Sequence, residues 1–183
     1  MLESCMQFGR QQIGPTDVAG KRVLEVGSRN VNGSLRDYVE GLGPREYIGI
    51  DIEAGPGVDR TMRADQVADE FGDNSFDLVI STELLEHVGN WWDVVSSLKR
   101  VCVEGGVILI TTRSPGFPYH GFPVDMWRFT VLDMQKIFAD CTIERLESDS
   151  EAPGVFVKAR KPAGFQEKRI DDIGVYRVQE GRG

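Results

Sequence analysis

The sequence predicts an α/β protein built on a doubly wound, mostly parallel sheet. Two apolar runs, Phe76 to Ser81 (FDLVIS) and Val107 to Thr111 (VILIT), are nearly continuous rather than alternating, as expected of strands covered on both faces. Between them Trp91, Val94, Val95, Leu98 and Val101 recur at helical spacing, which makes Trp91 to Val101 a crossover helix. Upstream, β-rich and helical stretches alternate over Arg22 to Val26, Ser34 to Gly41 and Tyr47 to Asp51, the pattern of βαβ units.

The remaining elements follow from local chemistry. Residues 1–20 place isolated apolar residues among Gln, Gly and Arg before Gly14-Pro15, which predicts a short lead-in helix and a loop. The Glu104-Gly105-Gly106 triplet predicts a turn closing the crossover helix. From Arg113 to Phe129 periodicity stops in a stretch of three prolines, two glycines and five aromatic residues, which reads as one long loop. Thr130 is placed to cap a helix beginning VLDMQKI, and Thr142 to Glu147 with Val155 to Ala159 form an antiparallel pair around a DSEAPG turn. The chain divides into a helical lead-in over 1–20, a main domain over 21–161 and a tail over 162–183, and residues 158–183, with seven Lys/Arg against four acids, make a locally basic end.

Composition narrows the function classes. A chain of 183 residues is one domain by length, and 40% hydrophobic with 27% charged residues is ordinary globular composition. A net charge of −8 repels phosphate backbones and anionic surfaces, which disfavours duplex DNA and membrane as partners. Cys5, Cys102 and Cys141 form no metal-ligand pair or even framework, and only His87 and His120 are available to assist, so no metal is expected and a reduced, cytoplasmic setting is. The cysteines read as small buried hydrophobes. No apolar stretch is long enough to span a bilayer, and the first residues carry no apolar signal core.

The chemistry concentrates where Val23-Leu24-Glu25-Val26-Gly27 runs into Ser28-Arg29-Asn30-Val31-Asn32-Gly33. Ligands of open parallel sheets bind at the carboxyl edge, where backbone N–H groups face them. A G-x-G-x-x-G pattern read from Gly27 meets Arg29 and Asn32 where glycines belong, so a dinucleotide is disfavoured. A glutamate two residues before Gly27 suits an ammonium, and Asp51 at the end of the next strand suits a ribose diol, which together suggest an aminoacyl-nucleoside.

From Lys21 to Lys161 the chain resembles the class I S-adenosylmethionine-dependent methyltransferases, most closely small type-11-like bacterial and phage members. VLEVGSRNVNG is similar to their glycine-rich first motif, YIGID to the second strand with its terminal acid, and Ala64-Asp65 to the acid of the third. FDLVISTELLEHV and EGGVILITTRSPG are similar to the fourth- and fifth-strand motifs. The departure is Arg29 and Val31 in place of the glycines of the first motif.

The resemblance implies a Rossmann-like sheet of seven strands, mostly parallel, with a C-terminal antiparallel hairpin strand. It implies S-adenosylmethionine as cofactor, with Glu25 and Gly27 on its methionine part, Asp51 on the ribose, and Ile52 and Asp65 on the adenine. Ser28, Arg29 and Thr82 complete the expected cofactor set, Arg29 as a candidate partner for the methionine carboxylate. Methyl transfer needs an aligned nucleophile and, for some acceptors, proton removal, so few catalytic groups are required. The 113–129 loop leaves the fifth strand at the ligand edge, which makes His120 and Asp125 candidates for base or orienting group and Tyr119, Trp127 and Arg128 candidates for the acceptor pocket. His87 reads as a residue fixing the start of the helix after the fourth strand. Of Trp91 and Trp92, one is expected to face the sheet and the other solvent.

The function expected is methyl transfer to an O or N nucleophile of a small-molecule acceptor, including a sugar or nucleotide-linked metabolite, with a homodimer left open. The alternative is a non-catalytic scaffold of the same fold that binds a partner. An aminopropyltransferase ranks last, because Thr82-Glu83 alone is thin provision for a polyamine.

Overall fold

The computed structural model describes residues 2–121, 124–168 and 173–178. Part of the basic tail, including Arg169 and Arg182, and Phe122-Pro123 of the long loop lie outside the described residues.

Seven strands form one sheet: β1 (Arg22–Val26), β2 (Glu46–Asp51), β3 (Arg60–Thr61), β4 (Phe76–Thr82), β5 (Cys102–Arg113), β7 (Thr142–Ser148) and β8 (Gly154–Arg160), in the order β3-β2-β1-β4-β5-β8-β7. The first five pair in parallel; β8 lies antiparallel between β5 and β7. Two short strands, β6 (Trp127–Arg128) and β9 (Tyr176–Arg177), pair separately and antiparallel.

The apolar runs are continuous because each strand feeds two cores. Leu24, Val26, Val79, Ile108 and Ile110 face one layer with α4 (Val67–Phe71), α5 (Trp91–Val101) and α6 (Val131–Ile137). Val23, Leu78, Ile80, Val107 and Leu109 face the other, with α1 (Glu3–Gln12), α2 (Pro15–Val18) and α3 (Arg36–Glu40). Residues 1–20 are part of this packing: Cys5, Phe8, Ile13 and Val18 are buried, and the Phe8 ring sits 5.0 Å from that of Phe156. Thr130 caps α6 as expected, its hydroxyl accepting the Asp133 N–H at 3.1 Å while Asp133 returns a bond to the Thr130 N–H. Trp91 is buried and Trp92 is exposed.

Two local expectations change. The Glu104-Gly105-Gly106 triplet is not a turn between elements but an irregularity inside β5, which starts at Cys102 and skips register against β4 between Phe76 and Leu78. Gly105 takes a φ of +78°, which lets the strand carry the extra residues and continue. The helix predicted over Ser34 to Gly41 is confined to Arg36–Glu40.

Candidate active site

A cleft of about 820 Å³ opens at the carboxyl ends of β1, β2 and β4. Strand order places it at the point where β1 and β4 lie side by side while the chain winds outward from them in opposite directions, the usual ligand position in such sheets. Gly27, the first residue beyond β1, takes a φ of +81°, and a side chain there would meet Leu84 at 3.2 Å. Glycine therefore lets the loop turn sharply and keeps Leu84 close against it.

Asp51 ends β2 at the cleft. Its Oδ2 accepts the Arg29 N–H at 3.2 Å and its Oδ1 the Glu53 N–H at 3.1 Å, so the carboxylate is fixed while each oxygen retains acceptor capacity. Ile52, Met62, Ala64 and Val88 give the cleft apolar lining. Asp65 also lines it and receives Arg63 and, at 2.7 Å, the Asn90 side-chain amide. The Arg63 and Asn90 bonds outweigh burial and hold the Asp65 carboxyl below its ordinary range. Thr82 lines the cleft at the end of β4, and its buried hydroxyl has no hydrogen-bond partner among the described residues. A buried unpaired hydroxyl in a cleft is a standing donor for a ligand.

The other side of the cleft comes from the segments after β4 and β5. Thr82 is followed by Glu83 at φ +55°, whose carboxylate pairs with the buried Arg113 guanidinium and accepts the Thr111 hydroxyl at 3.2 Å. That clamp fixes a short 3₁₀ turn over Leu85–His87 and aims His87 into the cleft. His120 arrives from the long loop, its ring 4.9 Å from His87 and 4.9 Å from Phe117. Behind it Asp125 accepts the His120 backbone N–H at 2.9 Å, and the His120 Nδ1 lies 3.0 Å from the same Oδ2. Burial would raise the Asp125 carboxyl, but Arg128 and the His120 N–H hold it at about 2. Burial pushes the His87 imidazole below its ordinary value.

Several predicted residues stand elsewhere. Glu25 is buried and absent from the cleft lining, because its side chain lies within the sheet's other layer, where its Oε2 accepts the Tyr47 hydroxyl at 2.8 Å. Burial raises its carboxyl to about 7, with the Tyr47 bond partly offsetting. Ser28 is buried beneath the loop, with its Oγ turned toward Gly49. Arg29 reaches the cleft, but its guanidinium pairs with Glu53. Of the predicted acceptor-pocket residues, Arg128 is buried with its nitrogens on Asp125 and the carbonyls of Phe117, Pro118 and Trp127. Trp127 gives its indole N–H to the Val88 carbonyl at 2.8 Å, and Tyr119 is half exposed with its ring folded against Gly121. None of these three lines the cleft. Asp125 is likewise behind the lining.

Sequence reasoning underread His87 and passed over Phe117 and Val124, all of which line the cleft. A signal for His87 was present: it is one of only two histidines in the sequence and stands near a strand end.

A doubly wound sheet with a reversed strand next to β5 and a cleft at its switch point defines a class I methyltransferase-type domain. The chain belongs to the methyltransferase domain family, whose family model matches residues 3–144. It is 29% identical over 124 residues to a ubiquinone biosynthesis O-methyltransferase of Rhizobium etli (strain CIAT 652), across 60% of this chain and 48% of that relative. The chain spans about half the length of the curated relatives it matches. Among solved structures, it is similar to a Burkholderia thailandensis 1,6-didemethyltoxoflavin-N1-methyltransferase with bound 1,6-didemethyltoxoflavin and S-adenosylhomocysteine. The TM-score is 0.68 at 14% identity, over 87% of this chain and 79% of that one. The [4+2]-cyclase SpnF matches at a TM-score of 0.65 and 16% identity, over 86% of this chain and 80% of that one. One fold thus carries different reactions, and the chemistry has to be argued from the site. Among the described residues, no helix is long and apolar enough to cross a membrane.

Proposed function

We propose that the protein is an S-adenosylmethionine-dependent methyltransferase acting on an O or N nucleophile of a small-molecule acceptor. The observation that carries this reading is one cleft joining a fixed strand-end carboxylate, Asp51, and an unpartnered hydroxyl, Thr82, to a pair of histidines. Asp51 would take the ribose hydroxyls, Asp65 the adenine amine, and Ile52 with Met62 the faces of the base, each by donor and acceptor inventory. The Gly27 backbone and the Thr82 hydroxyl would meet the aminoacyl part. When bound, the cofactor supplies an electrophilic methyl group on a sulfonium, with a good leaving group built in.

The protein's contribution is then alignment and proton management. His120 is placed to receive the acceptor's proton. Asp125, anchored by Arg128, is a positioning residue that orients the imidazole rather than a base, because a carboxyl held at about 2 is a weak proton acceptor at neutral pH. Small acceptors are favoured because the loop that closes this side spans only residues 113–129 and adds no separate substrate domain. The similarity to enzymes named as O- and N-methyltransferases of small molecules supports the same reading.

Calorimetric titration with S-adenosylmethionine and S-adenosylhomocysteine tests it. Saturable binding of both, weakened at least about tenfold by Asp51→Ala, is the expected result. Absence of binding by either ligand favours the non-catalytic scaffold.

A further inference from the structure

Glu86 lies fully buried with one oxygen occupied and the other bare. Its Oε2 accepts the Thr112 hydroxyl at 2.7 Å, while Oε1 has no hydrogen-bond partner among the described residues. His87 Nε2 stands 4.0 Å from that Oε1 and His120 Nε2 3.9 Å from it. The three side chains offer ligand atoms that all fall within 4.8 Å of one another.

The tautomers follow from the far sides of the rings. His87 Nδ1 is 2.5 Å from the Val124 carbonyl, which only accepts, so Nδ1 carries the proton and Nε2 a lone pair. His120 Nδ1 faces Asp125 Oδ2 at 3.0 Å, at an angle short of a well-directed bond, and that carboxylate is kept ionised by Arg128. The tautomer with its proton on Nδ1, toward that carboxylate, leaves Nε2 a lone pair as well. In those tautomers two imidazole lone pairs face the unpaired Glu86 oxygen. One proton satisfies a single pair of these atoms; a metal ion satisfies all three.

From this geometry we propose that Glu86, His87 and His120 bind a divalent first-row transition metal ion of the zinc type. Two neutral imidazoles and a carboxylate are a donor set such ions take. The outer contact of His87 is also that of a metal site, since ligating histidines give their second N–H to a carbonyl or carboxylate, and His120 Nδ1 lies 3.0 Å from the Asp125 carboxylate without a formed bond. Bringing the atoms to metal–ligand lengths of about 2.0–2.2 Å needs the 3.9 and 4.0 Å separations to close by under about 1 Å.

Because His87 and His120 both line the cleft, open coordination positions would face the acceptor. Resting on the methyltransferase reading, this makes the acceptor an oxygen nucleophile, a hydroxyl or phenol held and acidified at the ion, with His120 serving as ligand instead of base. Whether the ion binds does not depend on that reading.

The test is titration of chelator-treated, dialysed protein with Co²⁺, followed by visible d–d absorption, with Zn²⁺ as competitor. Expected are saturation at a single equivalent, spectral loss on adding Zn²⁺, and weakening by about tenfold or more in each of Glu86→Gln, His87→Asn and His120→Asn. His120 is partly exposed, so His120→Asn reports on the site even where the buried Glu86→Gln variant fails to fold, and thermal unfolding of each variant controls for this. No saturable spectrum, or a spectrum unchanged in a folded histidine variant, overturns the proposal. Cobalt binding without S-adenosylmethionine binding would overturn the enzymatic reading and leave the metal site standing; the converse would remove only the site.

Discussion

Arg128 grips Asp125 through both carboxylate oxygens, from Nη1 and, at 2.7 Å, from Nη2, with both side chains closed off from solvent. The pair ties the long loop to itself three residues apart and holds the carboxylate against His120. Removing one member of a buried pair leaves the other charge uncompensated, at a typical cost of about 3–5 kcal/mol.

Asp125→Asn should accordingly lower unfolding stability by about 3 kcal/mol in denaturant melts at pH 7. The folded carboxyl is depressed to about 2 from an ordinary 3.8, so its stabilisation is present above the ordinary value and is lost as pH falls through about 2. The gap between wild type and variant should be level from pH 5 to 8 and shrink under acid. A gap that grows in acid would show that the pair is not what holds the loop.

Glu25 predicts the opposite pH slope. Its folded carboxyl is raised to about 7 from 4.5, chiefly by burial, so its contribution is fully present below 4.5 and lost as pH rises through about 7. Ionising it inside the fold corresponds to about 3 kcal/mol. Glu25→Gln, which can still accept the Tyr47 hydroxyl, should match wild type near pH 4 and exceed it by about this amount at pH 8. Thermal melts across that range decide the matter, and equal stability at pH 8 would refute the burial argument.

At Gly27 the backbone, not a side chain, is the functional feature. Gly27→Ala combines a φ of +81° with a 3.2 Å approach to Leu84 and should cost about 1–3 kcal/mol. It should also weaken S-adenosylmethionine binding, because Leu84 must yield into the cleft it lines. A variant of wild-type stability and affinity would show that the loop has another way to turn.

How far the sequence reaches depends on what each residue type encodes. The strands β1, β2, β4 and β5 were legible because doubly covered strands have no continuous polar face, whereas the two-residue, exposed β3 was not; Asp51 was legible because a strand end fixes its position. The sheet order around β8 was not, since an antiparallel pair does not say which member joins β5. Glu25 misled because a carboxylate beside a glycine loop reads as a ligand group, while the pleat sends it into the opposite core layer. Arg128 misled for a related reason: an arginine among aromatic residues looks like an exposed cation until its partner Asp125 is found buried with it. His87 was read only as a support for the start of the helix after β4, because the 3₁₀ turn over Leu85–His87 that brings it to the cleft has no periodic signature in the sequence.

The most direct measurement is a crystal structure with S-adenosylhomocysteine bound. Its ribose hydroxyls should lie on Asp51, its adenine beside Ile52 and Asp65, and its sulfur toward the side of the cleft that holds His87 and His120. A ligand seated elsewhere, or with its sulfur turned away from the histidines, would contradict this placement.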